Sequence, residues 1–190
     1  MRAVSTVGSW PAVGQPFTVA ELDRMPDDGR RYELLDGALI VSPRPTTVHQ
    51  LAAARLVITL GNACPDGLCV LAEPAVQLTA DTEFDPDVVI VRQQDVGGPK
   101  LLRPPLLAIE IRSPSTALID LNRKMAAYQR FGVQSYWIMN PDPGQPSLDA
   151  YELRDGRYAH TASVTGSRVF RAERPFPAEI VPARLLAGLT

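Results

Sequence analysis

Between Pro104 and Pro114 the chain reads PPLLAIEIRSP, an apolar stretch interrupted by one acid, Glu110. A continuous apolar run of this length marks a strand covered on both faces, inside a sheet with layers on either side. A carboxylate buried there without a partner costs several kcal/mol, roughly, unless a cation or hydrogen-bond donors compensate it. Glu110 therefore needs partners, and candidates lie on both sides of it in the sequence. Upstream, Phe84-Asp85-Pro86-Asp87-Val88-Val89-Ile90-Val91 is a second apolar strand with an acid, Asp87, near its start. Downstream, Lys124 lies on a helix that directly follows the Glu110 strand. Two acids and a lysine converging from two strands and a helix point to a metal-dependent active site.

Length and charge narrow the classes. At 190 residues and 20.7 kDa the chain is one domain's worth, with 45% hydrophobic and 21% charged residues. That balance fits a soluble globular protein rather than a disordered one. No apolar run approaches the roughly 20 residues a membrane span needs. The N-terminal MRAVSTVGSWPAVG lacks an apolar signal core, so a cytoplasmic protein is expected. A net charge of −2 and a pI near 5.7 are a poor match to a protein that binds nucleic acid tightly through a basic surface. They leave room for an enzyme that holds its substrate through metal ions and a local patch. Cys64 and Cys69 sit in CPDGLC, and only His49 and His160 could add imidazoles, so the cysteines read as reduced thiols beside a turn rather than a zinc site.

Along the chain, residues 1–16 are rich in small residues, Gly and Pro, and read as a flexible arm preceding a single domain over 17–190. Phe17–Met25 reads as a short helix with Thr18 as N-cap and Glu21 at the capping-box spacing. Arg31–Val41 is a hairpin turning at Asp36-Gly37. Val48–Ala63 has helical periodicity through Leu51, Arg55/Leu56 and Leu60, and strands follow around Cys69–Ala72 and Ala75–Leu78. After the Glu110 strand, Leu118, Leu121, Met125 and Tyr128 form a stripe that should face the sheet. Lys124 lies at the border of that stripe, able to reach inward, while Arg123 faces solvent. Gly132 stops the helix, Ser135–Met139 is a strand, and Tyr151–Leu153 with Arg157–His160 form a second hairpin around Asp155-Gly156. The residues beyond are unassigned. This order predicts a mixed α/β sheet covered by helices, with the Glu110 strand, the helix and the Tyr136 strand forming a parallel crossover.

Acids that share a divalent cation must be close and ionised; magnesium prefers carboxylate oxygens and retains waters for substrate and nucleophile. A nearby lysine can orient the attacking water or stabilise the transition state. The ordered set Tyr32-Glu33-Leu34-Leu35-Asp36-Gly37, Ser42-Pro43, His49, Pro86-Asp87, Glu110-Ile111-Arg112-Ser113-Pro114-Ser115, Asp120, Lys124, Tyr128, Gly132-Val133 and Tyr136-Trp137 resembles a large bacterial family of restriction-endonuclease-like proteins in the PD-(D/E)xK nuclease superfamily. The resemblance runs from about Phe17 to Leu153. It implies a restriction-endonuclease-like α/β/α core with a central mixed β-sheet, a Mg²⁺ or Mn²⁺ ion at Asp87 and Glu110 with Glu33 assisting, and DNA as the substrate. Nucleases of that superfamily often pair as homodimers, because a duplex has two strands. One departure matters: the lysine expected two residues after the second acid is Arg112 here. Glu110 and Arg112 alternate onto one strand face, so Arg112 is expected at the same site, where a guanidinium clamps phosphate but serves as no base. Lys124 takes the superfamily lysine's role and Arg112 a supporting one.

Each residue also has an ordinary structural reading. Asp87 after a proline could be a turn acceptor, and Glu110 a buried ion-pair partner of Arg112 or Lys124. Lys124 could pair with Asp120 along the helix surface, Glu33 could face solvent, and His49 could be a surface or capping residue. Tyr136-Trp137 reads as core packing. These structural readings do not explain why both Asp87 and Glu110 interrupt apolar strands. Two functions follow: a metal-dependent DNA endonuclease, or a non-catalytic binding or assembly module whose acids form structural ion pairs.

Overall fold

The computed structural model describes residues 15–113 and 118–189, with residues 118–121 described by their backbone alone. The expected arm therefore falls almost wholly outside the described residues.

The described chain enters through Phe17, whose N–H donates to the Gly37 carbonyl (2.9 Å). It then forms a four-residue helix, α1 (Val19–Leu22), capped as the sequence predicts: the Glu21 carboxylate accepts from the Thr18 N–H at 2.7 Å. Strands β1 (Arg31–Leu35) and β2 (Ala38–Ser42) pair antiparallel across Asp36-Gly37. Both turn residues have positive φ, 48° and 76°, which the tight hairpin requires and which Asp and Gly tolerate best. Helix α2 (Thr47–Ala63) starts where Thr46 accepts from the His49 N–H (3.3 Å) and ends before Pro65. Its buried residues are His49, Ala52, Leu56 and Leu60, one step round from the stripe drawn through Leu51 and Arg55.

Strands β3 (Leu68–Ala72), β4 (Val76–Gln77), β5 (Glu83–Phe84) and β6 (Val88–Arg92) follow. The stretch from Phe84 to Val91, read from sequence as one strand, is two. Pro86 has no N–H for a ladder, and at that point the chain leaves one sheet for another. β5 lies in a four-stranded sheet of order β2-β1-β5-β4, whereas β6 lies in a six-stranded sheet. The remaining elements are β7 (Leu107–Ile111), α3 (Leu118–Arg130), β8 (Ser135–Asn140), β9 (Ser147–Arg154), β10 (Arg157–Thr165), β11 (Phe170–Ala172), β12 (Ala178–Ile180) and α4 (Pro182–Leu185). The large sheet has the order β10-β9-β8-β7-β6-β3. It is mixed: β7 and β8 are parallel, joined through α3, and its other neighbours are antiparallel.

Period-two alternation divides the large sheet between two cores. Ile109, Trp137 and Met139 join Leu56 and Leu60 of α2 and the C-terminal β11, β12 and α4. Ala108 and Tyr136 face the other way, against Ala127 and Tyr128 of α3 and Leu35 and Phe84 of the smaller sheet. The expected α/β architecture with a central mixed sheet flanked by helices is present, and the second sheet is an addition. Tyr136 and Trp137 are core residues, as read. Cys64 and Cys69 are free thiols. No helix of the described residues is long and apolar enough to cross a membrane.

Leu56 is fully buried and Ile58, two residues on, is 62% exposed. Leu56→Ala should therefore lower unfolding free energy by about 2–5 kcal/mol in urea titration, and Ile58→Ala by less than about 0.5 kcal/mol.

Candidate active site

Register places the two strand acids together. β6 and β7 pair with Val88 opposite Ile109, so continuing the ladder by one residue sets Asp87 opposite Glu110 at one end of the sheet. Asp87 is 1% exposed and Glu110 4%. The β1 strand of the smaller sheet crosses above them, and its alternation turns Arg31, Glu33 and Leu35 toward the large sheet while Leu34 packs with α1. From α3, Lys124 enters the same space, 4% exposed. Arg31, Glu33, His49, Asp87, Glu110 and Lys124 all line one cavity of about 260 Å³.

Lys124 is the hub. Its Nζ donates to Glu33 Oε1 at 2.7 Å and stands 3.3 Å from both Glu110 oxygens. Burial works against its charge, but Glu110 and Glu33 outweigh burial and hold the ammonium above its ordinary range. The two carboxylates thus favour its charged form. Glu110 also accepts from the Tyr128 hydroxyl (2.9 Å). Burial, with Asp87 and Glu33 adding to it, pushes the Glu110 carboxyl up to about 7 against the pull of Lys124 and Tyr128. Glu33 further accepts from the Asp85 N–H at 3.0 Å. Burial first, then the nearby Glu33, raises Asp85 to about 6.

Asp87 is held differently. Oδ2 accepts from the Ile111 N–H (2.6 Å) and faces His49 Nε2 at 3.2 Å; Oδ1 accepts from Arg31 Nη2 at 3.1 Å. His49 Nε2 is also 3.1 Å from the Ile111 carbonyl, and since both neighbours are acceptors, Nε2 carries the hydrogen. Burial opposes ionisation of Asp87, but His49, Arg31 and the Ile111 amide together hold its carboxyl below the usual range.

Asp87, Glu110, Glu33 and Lys124 thus come together as the sequence predicts. Arg112 does not line the cavity: β7 ends at Ile111, Arg112 donates its N–H to the Met139 carbonyl (2.8 Å), and its side chain is exposed. Strand alternation fails as a guide one residue past the strand. The arginine beside the acids is Arg31, which the sequence showed only as the start of a hairpin. Its signal was the two-residue spacing from Glu33. His49 is no surface residue but opens the buried stripe of α2. Lys124 turns inward to Glu33 and Glu110, and the side chain of Asp120, its proposed surface partner, lies outside the described residues.

A family model described as "Uma2: Putative restriction endonuclease" matches residues 19–186, most of the chain. The chain belongs to the Uma2 family. Among solved structures it is similar to one described as "a putative nuclease belonging to DUF820" from Anabaena variabilis. The TM-score is 0.71 at 16% identity, and the match covers 90% of this chain and 98% of that one. Identity this low speaks to the shared fold, which is nuclease-like. No curated protein matches the chain.

Replacing Lys124 by methionine leaves Glu33 and Glu110 buried and uncompensated, so Lys124→Met should lose about 3–5 kcal/mol in urea unfolding. Adding Glu33→Gln and Glu110→Gln should recover part of that loss, because no buried charge then lacks its partner.

Proposed function

We propose that the chain is a divalent-cation-dependent endonuclease that hydrolyses phosphodiester bonds in DNA. The observation that carries this reading is the convergence of Asp87, Glu110 and Glu33 with Lys124 on one cavity, at the joined ends of two neighbouring strands. Membership of a restriction-endonuclease family supports it.

The donor set suits a hard cation. The cavity wall carries three carboxylates, Glu33, Asp87 and Glu110, the oxygen donors a hard cation prefers, balanced by Lys124, Arg31 and the exposed Arg44. Among the described residues no three His, Cys, Asp or Glu side chains form a ready cage. Asp87 and Glu110 would hold Mg²⁺ or Mn²⁺ with Glu33 assisting, leaving coordination positions for water and substrate, as magnesium prefers. Such an ion supplies Lewis acidity toward the phosphoryl group and eases deprotonation of the attacking water. The protein's own groups do the rest. Tyr128 and Lys124 fix the Glu110 carboxylate, and the Ile111 amide and His49 fix Asp87. Lys124, its charged form favoured by Glu33 and Glu110, would position the water and face the negative charge that develops in the transition state.

One observation favours the second reading, a non-catalytic binding or assembly module: every buried acid of the site already has a basic partner within 3.3 Å. Stability of Lys124→Met does not separate the two, since Lys124 is buried under either. Metal binding and cleavage do. Titration calorimetry should show Mn²⁺ binding to wild type that vanishes in Asp87→Asn. Nicking of plasmid DNA with Mg²⁺ or Mn²⁺ should fall about 100-fold or more in Asp87→Asn and Glu110→Gln. If Asp87→Asn cuts as fast as wild type, the assignment is wrong; a wild type that neither binds Mn²⁺ nor cuts favours the module.

A further inference from the structure

Two arginines stand in the cavity wall, Arg31 and Arg44. Arg44 is exposed, its Nε donating to the Gly29 carbonyl at 3.0 Å. Arg31 lies deeper, its side chain 18% exposed, and both of its ion pairs leave from a single nitrogen. Nη2 stands 2.8 Å from the half-exposed Glu73 carboxylate and 3.1 Å from Asp87 Oδ1. Nε and Nη1 make no hydrogen bond among the described residues, but each of the two edges that could grip an anion also includes Nη2. A phosphodiester gripped in bidentate fashion therefore takes Nη2 together with Nε or Nη1, and competes with Asp87 and Glu73 for it. Lys124 is engaged by two carboxylates that are both buried, whereas one of the two on Arg31, Glu73, is half-exposed. An anion entering the cavity past Arg44 therefore meets Arg31 as the deep cation most readily drawn from its partners.

The same guanidinium covers the atom a metal would need. Asp87 Oδ2 is held by a strand amide and by buried His49, neither of which can move without disturbing the sheet or the core. Oδ1 is held by Arg31, whose second tether, Glu73, is at the surface. Glu73 follows the end of β3 with a left-handed backbone (φ 47°), and its N–H reaches the Asp87 carbonyl at 3.2 Å. Arg31 is thus the partner of Asp87 that can be drawn away with the fold intact.

Resting on the nuclease reading, we infer that Arg31 grips the substrate phosphate and gates cation access to Asp87. An incoming phosphodiester draws the guanidinium off Oδ1, which uncovers that oxygen for a divalent cation. Removing the positive charge of Arg31 from Asp87 strengthens cation binding, and by linkage a bound cation strengthens anion binding. Phosphodiester and metal then enter the site cooperatively.

The test is calorimetric titration of Mn²⁺ into wild type and Arg31→Met, each with and without dimethyl phosphate, a phosphodiester monoanion, with Asp87→Asn as baseline. In wild type, dimethyl phosphate should tighten Mn²⁺ binding about tenfold, within the usual range of coupling between sites. Arg31→Met should bind Mn²⁺ more tightly than wild type without the anion and respond to it no further. Should Arg31→Met fail to fold, Arg31→Lys keeps the charge but not the fork; it should match wild type without the anion and lose most of the tightening. Equal Mn²⁺ affinity in wild type and Arg31→Met with the same response to dimethyl phosphate, or a full response in Arg31→Lys, overturns the role of Arg31 and leaves the metal site standing. No Mn²⁺ binding by wild type under either condition overturns the nuclease reading as well.

Discussion

A lysine ammonium buried among two carboxylates ties this molecule together. Lys124 comes from α3, Glu33 from the smaller sheet and Glu110 from an inner strand of the larger one, so a single charged contact joins three of the elements that line the cavity. Taking three charges out of water is costly, and mutual attraction offsets that cost only where geometry is good and the remaining atoms find donors. Tyr128 and the Asp85 amide supply such donors. The contact also sets the charges: Glu33 and Glu110 favour the ammonium of Lys124, while burial and the neighbouring Asp87 and Glu33 oppose ionisation of Glu110.

Asp87 owes its place to the path of the backbone. The chain leaves the small sheet at Phe84, passes Pro86 and joins the large sheet at Val88, which sets Asp87 at a sheet end reachable from both layers. Arg31 approaches it from the hairpin sheet and His49 from α2 on the opposite side. Asp87 and Glu110 are therefore unlike in their surroundings: one is held ionised by a guanidinium, an imidazole and an amide, the other is buried with its charge incompletely balanced. Neighbouring acids driven in opposite directions by their environments occur at functional sites and in structural ion-pair networks alike.

Local chemistry was legible in the sequence. The Asp36-Gly37 turn, the Thr18–Glu21 cap, α2, the stop at Gly132 and the parallel β7–α3–β8 unit all follow from turn residues, caps and periodicity, and each is present. The inward reach of Lys124 followed from its angle on the helix. Three features were not legible. Arg112 shares strand parity with Glu110, but parity has no force once the strand has ended. His49 lay on the buried stripe of α2, yet that stripe runs through Ala52, whose small side chain gives a weak apolar signal. The C-terminal β11, β12 and α4 are three or four residues each, too short for any periodicity to emerge.

What the sequence determined by itself was the presence of acids in apolar strands and a lysine at a helix border, because burial of a charge requires a partner wherever the chain goes. It determined the layered α/β class as well, since uniformly apolar strands must be covered on both faces. Which partner each acid takes was decided only by tertiary structure. Asp87 meets Arg31 and His49 from segments 56 and 38 residues away, through the placement of one sheet over another and the position of a helix N-terminus. Such pairings depend on register and layer packing, which are long-range consequences of the whole core and leave no mark in the residues immediately around each charge.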